Sequence, residues 1–258
     1  MGIDFYIGEV KEQSAAAKQM VNEYIHFCKM LEKSVTVFMS APLSGKTYDS
    51  AKRYFSTVYP ALASGFILAG EALVEAHRKF PEEFQSSVDT CDVIEEQVKA
   101  EIAQGQVLLQ NIERTMAKEK APNKRTEQRY RGVESSIQKN EEKLQKLYDF
   151  HASSPNVFAD FETQLAYLDA GLAEVEKGAV WQPDSGTFDL SRMNVSWMKP
   201  IEKEWGKRQK KMDAQGFKVM QKEIRKFNDY EIKWNEGQYT LEKAKAVNVE
   251  AQLIFNKK

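Results

Sequence analysis

The residues able to do chemistry are few and scattered. His26, His77 and His151 are the only histidines of the 258-residue chain, and they fall in three separate helix-patterned stretches. An enzyme needs reactive groups that converge, and no His-x-x-x-His, Cys-x-x-Cys or Gly-x-Ser-x-Gly spacing occurs. Cys28 and Cys91 have no metal-ligand spacing and read as small buried or half-buried side chains. Gly45-Lys46-Thr47 looks like the tail of a phosphate loop. Position 40, where that loop needs its first glycine, is Ser40, and no strand pattern precedes it. The acidic pairs Glu82-Glu83 and Glu95-Glu96 read as solvated faces rather than acid–base pairs. The expectation is a protein that is not an enzyme, takes no cofactor or metal, and works by recognition.

Composition narrows what it recognises. Lysine and arginine total 37 against 38 acidic residues, so the chain lacks the basic excess of a nucleic-acid surface. Charged residues make up 29%, and alanine, glutamate, lysine and leucine recur at helical spacing. That combination points to long, solvent-washed helices. The first thirteen residues lack the basic-then-apolar run of a signal peptide.

Along the chain, residues 1–8 read as a frayed end or a first turn. A first helix over about 9–38 carries Met20, Tyr24, Phe27 and Leu31 at spacings of four, three and four, with Val21, Ile25 and Cys28 beside them. The combined face is wider than one antiparallel neighbour needs. It either sits inside a three- or four-helix core or waits for a partner helix. The breaker cluster Ala41-Pro42-Leu43-Ser44-Gly45 then predicts a turn. A second helix starts near Ser44 or Thr47 and runs to about residue 77. Tyr48, Ala51, Phe55, Val58, Leu62, Phe66, Ala69 and Leu73 form its near-heptad row. Residues 54–70 hold no charge, yet Ser56, Thr57, Pro60, Ser64 and Gly65 favour a buried helix over a membrane span. Ala61, Gly65 and Ala69 make a ridge of small residues, and Pro60 is expected to kink or break the helix.

Pro81 followed by Glu82 and Glu83 suits a helix start. A helix over 81–118, a basic polar tip at 118–125 and a returning row of Tyr130, Val133, Ile137, Leu144, Leu147 and His151 predict an antiparallel coiled-coil stalk over about 81–154. Glu95 and Gly105 interrupt its seam. Phe158, Phe161, Leu165, Leu168, Leu172 and Val175 predict a further helix that packs back on the stalk and closes at Gly178. Residues 179–200 read as loops with one short hairpin, and Pro200 restarts a helix. The segment 246–255 fits a strand or a helix.

The turn carries the resemblance. Leu43-Ser44-Gly45-Lys46-Thr47-Tyr48-Asp49-Ser50-Ala51-Lys52-Arg53-Tyr54-Phe55, with the helical text around it, resembles the N-terminal domain of LXG proteins, the toxins exported by type VII secretion systems. The likeness runs to about residue 210. No Trp-x-Gly occurs, and Leu43-Ser44-Gly45 takes that turn's role. The resemblance implies a targeting or adaptor domain: small WXG-like helical proteins bind its N-terminal helices and the secretion ATPase takes the complex. It also implies export without a cleaved signal peptide. Tyr130 and Glu134 match a Tyr-x-x-x-Glu export signal, although they lie far from the first hairpin.

The expected architecture is all-α: an elongated helical hairpin plus the long stalk. Residues 1–178 form the targeting domain, and 179–258 form an extension or a linker to a toxin module. The expected partner face is Met20, Tyr24, Phe27 and Leu31 on the first helix with Phe55, Leu62 and Phe66 on the second. Two other readings remain at this point, a membrane-active helical protein and a self-associating coiled-coil scaffold.

Overall fold

The computed structural model describes residues 2–235, apart from 119, 120 and 122, with side chains through residue 222. The segment 246–255 lies outside the described residues. The order is β1 (Asp4–Phe5), α1 (Ile7–Ser40), α2 (Lys46–Ser87), β2 (Val93–Ile94), α3 (Glu95–Met116) and α4 (Lys124–Ser153). A 3-10 turn, Ser154–Phe158, leads to α5 (Ala159–Glu176), β3 (Trp181–Gln182), β4 (Thr187–Phe188), a second 3-10 turn, Leu190–Arg192, and α6 (Met198–Asn235). The fold is all-α, with two-residue ladders as its strands. Contacts divide the chain into Met1–Glu202 and Lys203–Lys258. Within the second unit, the Arg208 guanidinium lies 4.6 Å over the Trp205 ring.

In the first unit α1 and α2 form an antiparallel hairpin. Ala17, Val21, Cys28 and Val35 recur at helical spacing and are the buried row of α1. The helices touch closely at Gly70, where a Cβ would stand 2.8 Å from Val21 Cγ1. Burial pushes the Cys28 thiol above its usual range, so this cysteine is a packing residue.

The helix start expected at Pro81 is not there. α2 runs to Ser87 with Pro60 and Pro81 both inside it. A proline removes one N–H and orphans the carbonyl four residues back. For Pro81 that carbonyl belongs to His77. The Ser14 hydroxyl of α1 lies 2.9 Å from it and 2.8 Å from the Val10 carbonyl. The hydroxyl has one proton for the two carbonyls, so a donor from the neighbouring helix stands within reach of the orphaned one, and α2 runs on through Pro81.

The N-terminal residues are pinned rather than frayed. β1 pairs antiparallel with β2, Asp4 opposite Ile94 and Phe5 opposite Val93. Phe5 stacks on Phe84 with centroids 3.6 Å apart. The Asp92 carboxylate accepts from the Ile7 N–H at 2.8 Å, which satisfies a donor that the helix start leaves free.

α3 and α4 form the stalk, which therefore starts at Glu95 rather than at residue 81. Their antiparallel register is marked by Tyr130 with Glu113, Asn140 with Glu101 and Tyr148 with Glu95. At about 1.5 Å per residue α3 is about 33 Å long. Val98, Ile112, Ile137, Leu144 and Leu147 fill the seam. Gly105 continues the seam: a Cβ there would meet Ile137 Cγ1 at 2.7 Å, so the glycine is the hole that takes the isoleucine. The stalk joins the body at its base, where Val98, Leu144, Leu147 and Phe150 pack on Phe5, Ile7, Phe84 and Val93.

α5 packs along α2 rather than back on the stalk. The small-residue ridge of α2 is what it meets: a Cβ on Gly65 would lie 3.3 Å from Leu168 and 3.0 Å from Ile201. The expected short hairpin is present as β3 and β4. It covers the start of α2, with Phe188 stacked 5.1 Å from Tyr54 and its N–H donating to the Ser50 hydroxyl at 3.0 Å.

Candidate partner-docking site

The turn is built around one backbone position. α1 ends at Ser40, and the Leu43 N–H donates to the Ala41 carbonyl at 2.7 Å. Gly45 then takes φ 106° and ψ 163°, a region essentially closed to side chains. It is the N-cap of α2, and its carbonyl accepts from the Asp49 N–H at 2.8 Å. Neither Ser44 nor Thr47 caps the helix. The Lys52 ammonium holds the turn closed by donating to the Ala41 and Leu43 carbonyls at 2.8 and 2.9 Å. Nothing in the periodicity marks Lys52; its place two turns past Gly45 is the only sequence signal.

The apolar row of α1 stands largely uncovered. Met20, Tyr24 and Phe27 are 45%, 57% and 62% exposed. At about 100° per residue their direction lies roughly 65° around the helix from the buried row. They flank the α1–α2 contact instead of entering it. Met20 and Tyr24 meet Phe66 of α2, itself 41% exposed, across a shallow groove of about 180 Å³. Val21, Ala69, Gly70 and Leu73 form its floor, and Phe161 and Leu165 of α5 close its far wall. Leu31 continues the row as a half-buried residue.

Two residues expected on this face are elsewhere. Leu62 is 6% exposed and belongs to the core under α2. Phe55 is half-buried in an aromatic cluster, 5.4 Å from Phe38 and 4.9 Å from Tyr59. Phe55 is enclosed by α1, by its own helix and by Phe188 of the β3–β4 hairpin, 6.1 Å away.

The stalk positions the weaker signal. Tyr130 is half-buried and donates to the Glu113 carboxylate across the hairpin at 3.2 Å, which raises its phenol above the usual range. Glu134, one turn on, is exposed. The pair shares a face, with the tyrosine hydroxyl engaged within the stalk.

Glu95, read as solvated, is instead a buried junction. Its carboxylate accepts from the Ile3 N–H at 2.6 Å and the Tyr148 hydroxyl at 2.7 Å, and it pairs with Lys99. Lys99, the Ile3 N–H and Tyr148, in that order, pull it down to about 2. This bolt ties the N-terminal strand to both stalk helices. Burial alone lowers His77, and His26 and His151 are exposed on other helices. Among the described residues no group of three or more histidine, cysteine, aspartate or glutamate side chains could hold a metal ion. The geometry assembles an apolar surface and a turn.

Comparison with known proteins agrees with that geometry. The family profile described as "LXG domain of WXG superfamily" matches residues 5–185. A Bacillus cereus protein named "Toxin" is 31% identical over 210 residues, which is 78% of this chain and 37% of that protein. The chain thus spans little more than a third of that relative's length. No solved structure matches.

Proposed function

This chain belongs to the LXG family, and from that premise we propose that its α1–α2 hairpin is the surface by which small WXG-like helical proteins recognise it for type VII export. The complex would then pass to the secretion ATPase, and the protein would leave the cell as the targeting part of a toxin, without a cleaved signal peptide. The role is recognition rather than catalysis. One observation carries the reading: Met20, Tyr24 and Phe27 stand exposed on successive turns of α1, and Met20 and Tyr24 border the groove that Phe66 and α5 complete. A row of large apolar side chains left wet marks a partner surface. Each is worth about 1.5–3 kcal/mol when covered, so three or four can support tight docking after association costs. A helix laid in the groove would meet them at its own three- and four-residue spacing.

The test is co-expression with a small WXG-like helical protein, followed by affinity capture. Phe27→Asp places an unpaired charge in the docking surface, and both co-purification and secretion should be lost while the fold stays intact. Retention of the partner by Phe27→Asp moves the docking surface elsewhere.

Membrane activity is favoured by one property. α2 is the one helix among the described residues long and apolar enough to cross a membrane, with a mean hydropathy of 1.4 in its most apolar stretch. A core helix meets the same criterion, and α2 packs against both α1 and α5. Dye leakage from liposomes by the purified chain would favour insertion.

A further inference from the structure

The free end of the stalk gathers basic residues from two helices. Arg114 lies in the last turn of α3, Lys118 just beyond it, and Lys124, Arg125, Arg129 and Arg131 begin α4; all six are exposed. None of them forms an ion pair among the described residues. Among the described residues the acids nearby are Glu113, which accepts from Tyr130, the half-buried Glu127 and the exposed Glu134. The chain as a whole carries a net charge of −1, so this cluster is a local excess. It lies about 33 Å from the stalk base, several screening lengths away at physiological salt.

The tip also has a shape. Arg125 and Arg129, one turn apart on α4, rim an open concavity with Asn111 and Thr115 of α3 opposite and Leu108 and Ile112 at its floor. Guanidinium groups above a small apolar floor suit a phosphate ester joined to a hydrocarbon.

We propose that the stalk tip docks on an anionic lipid bilayer, Arg125 and Arg129 taking lipid phosphates and the other four cations adding attraction to the negative surface. Four to eight basic residues grouped at one end of an element are enough to hold a protein reversibly at such a surface. A flat bilayer would meet the end of the hairpin, about 33 Å from the base of the stalk. A nucleic acid fits less well. Single strands need aromatic platforms for their bases, and the tip's one nearby aromatic, Tyr130, is half-buried and bonded to Glu113. This inference stands on charge and shape alone and does not depend on the docking role of the other hairpin.

The experiment is flotation of the full chain with vesicles of phosphatidylcholine alone or with about one-third phosphatidylglycerol, at about 0.1 M and 0.5 M salt. The expected result is binding to the anionic vesicles only and release at the higher salt. The combined Arg125→Glu and Arg129→Glu variant should bind at least about tenfold more weakly, with helical content unchanged by circular dichroism. If that variant is misfolded, Lys124→Gln with Arg131→Gln should give a smaller loss in the same direction. Three results overturn the proposal. One is no flotation of the wild type. Another is equal flotation of the charge-reversed chain, which places the membrane contact away from the tip. The third is an oligonucleotide of equal charge displacing the chain from vesicles, which makes the tip a nucleic-acid surface.

Discussion

The two hairpins of the first unit share a motif and differ in what they leave to solvent. The α3–α4 hairpin buries most of its apolar residues, along its own seam and in the shared core at its base; Gly105 accepts Ile137, and charges remain outside. The α1–α2 hairpin fills one seam and keeps a second apolar row wet on α1. Their ends differ as well. One turns through a glycine conformation locked by a lysine, and the other is joined to the body by a cluster of phenylalanines and a buried carboxylate. A hairpin sufficient in itself can serve as a rigid arm. A hairpin with a surplus apolar row calls for a third helix, and α5 covers only part of it.

The strongest way to break this contrast is at the stalk base. Phe84 is fully buried and stacked on Phe5. Phe84→Ala should cost about 3–5 kcal/mol in chemical denaturation. A loss below about 1 kcal/mol would mean that the arm is not anchored there.

Leu62 and Phe66 sharpen the contrast within α2, since they lie one turn apart. Leu62→Ala, in the core, should cost about 2–5 kcal/mol. Phe66→Ala, on the groove, should stay within about 0.5 kcal/mol. Equal losses would place both in one core and remove the groove as a surface.

The difference between these two residues shows what is legible in the sequence. Spacings of three and four locate the long helices, the first turn and the stalk seam, because they report which residues on a helix are apolar. They do not report which neighbour covers them. Leu62 is buried on a helix that packs against both α1 and α5, and Phe55 is enclosed by Phe38, Tyr59 and the distant Phe188, so both look available to a partner when only their own helix is considered. Pro81 misleads for a related reason. A proline before two acids has the local features of a helix start, yet α2 continues through it, with the Ser14 hydroxyl of another helix within reach of the carbonyl it orphans. Glu95 looks solvated because its partners Ile3 and Tyr148 are distant in sequence. Gly45 is legible because its requirement is local.

That local requirement gives a smaller effect. Gly45→Val forces a side chain into a region that excludes it, at about 1–3 kcal/mol. The cost should appear in thermal unfolding and spare the stalk's helicity. An unchanged midpoint would mean that the turn adopts another conformation at no cost.

The Glu95 bolt gives the gentlest perturbation, through pH. Its carboxyl is held at about 2, below the ordinary 4.5. A group depressed on folding contributes stability above its unfolded value and loses it as pH falls through the folded one. Unfolding measured from pH 5 down to about 2 should therefore show stability declining across that window. Glu95→Gln should reduce the slope. A slope identical in both proteins would exclude Glu95 as a contributor.

The most direct measurement concerns the wet row itself. Titration calorimetry of a co-purifying small helical partner should be run against three proteins: wild type, Tyr24→Asp with Phe27→Asp, and Arg125→Glu with Arg129→Glu. Docking on the first hairpin predicts at least about a hundredfold weaker binding for the Tyr24 and Phe27 variant, corresponding to about 2.7 kcal/mol. The stalk-tip variant should bind like wild type. Undiminished binding by the Tyr24 and Phe27 variant, with a loss confined to the stalk-tip variant, would contradict it and make the arm the partner surface.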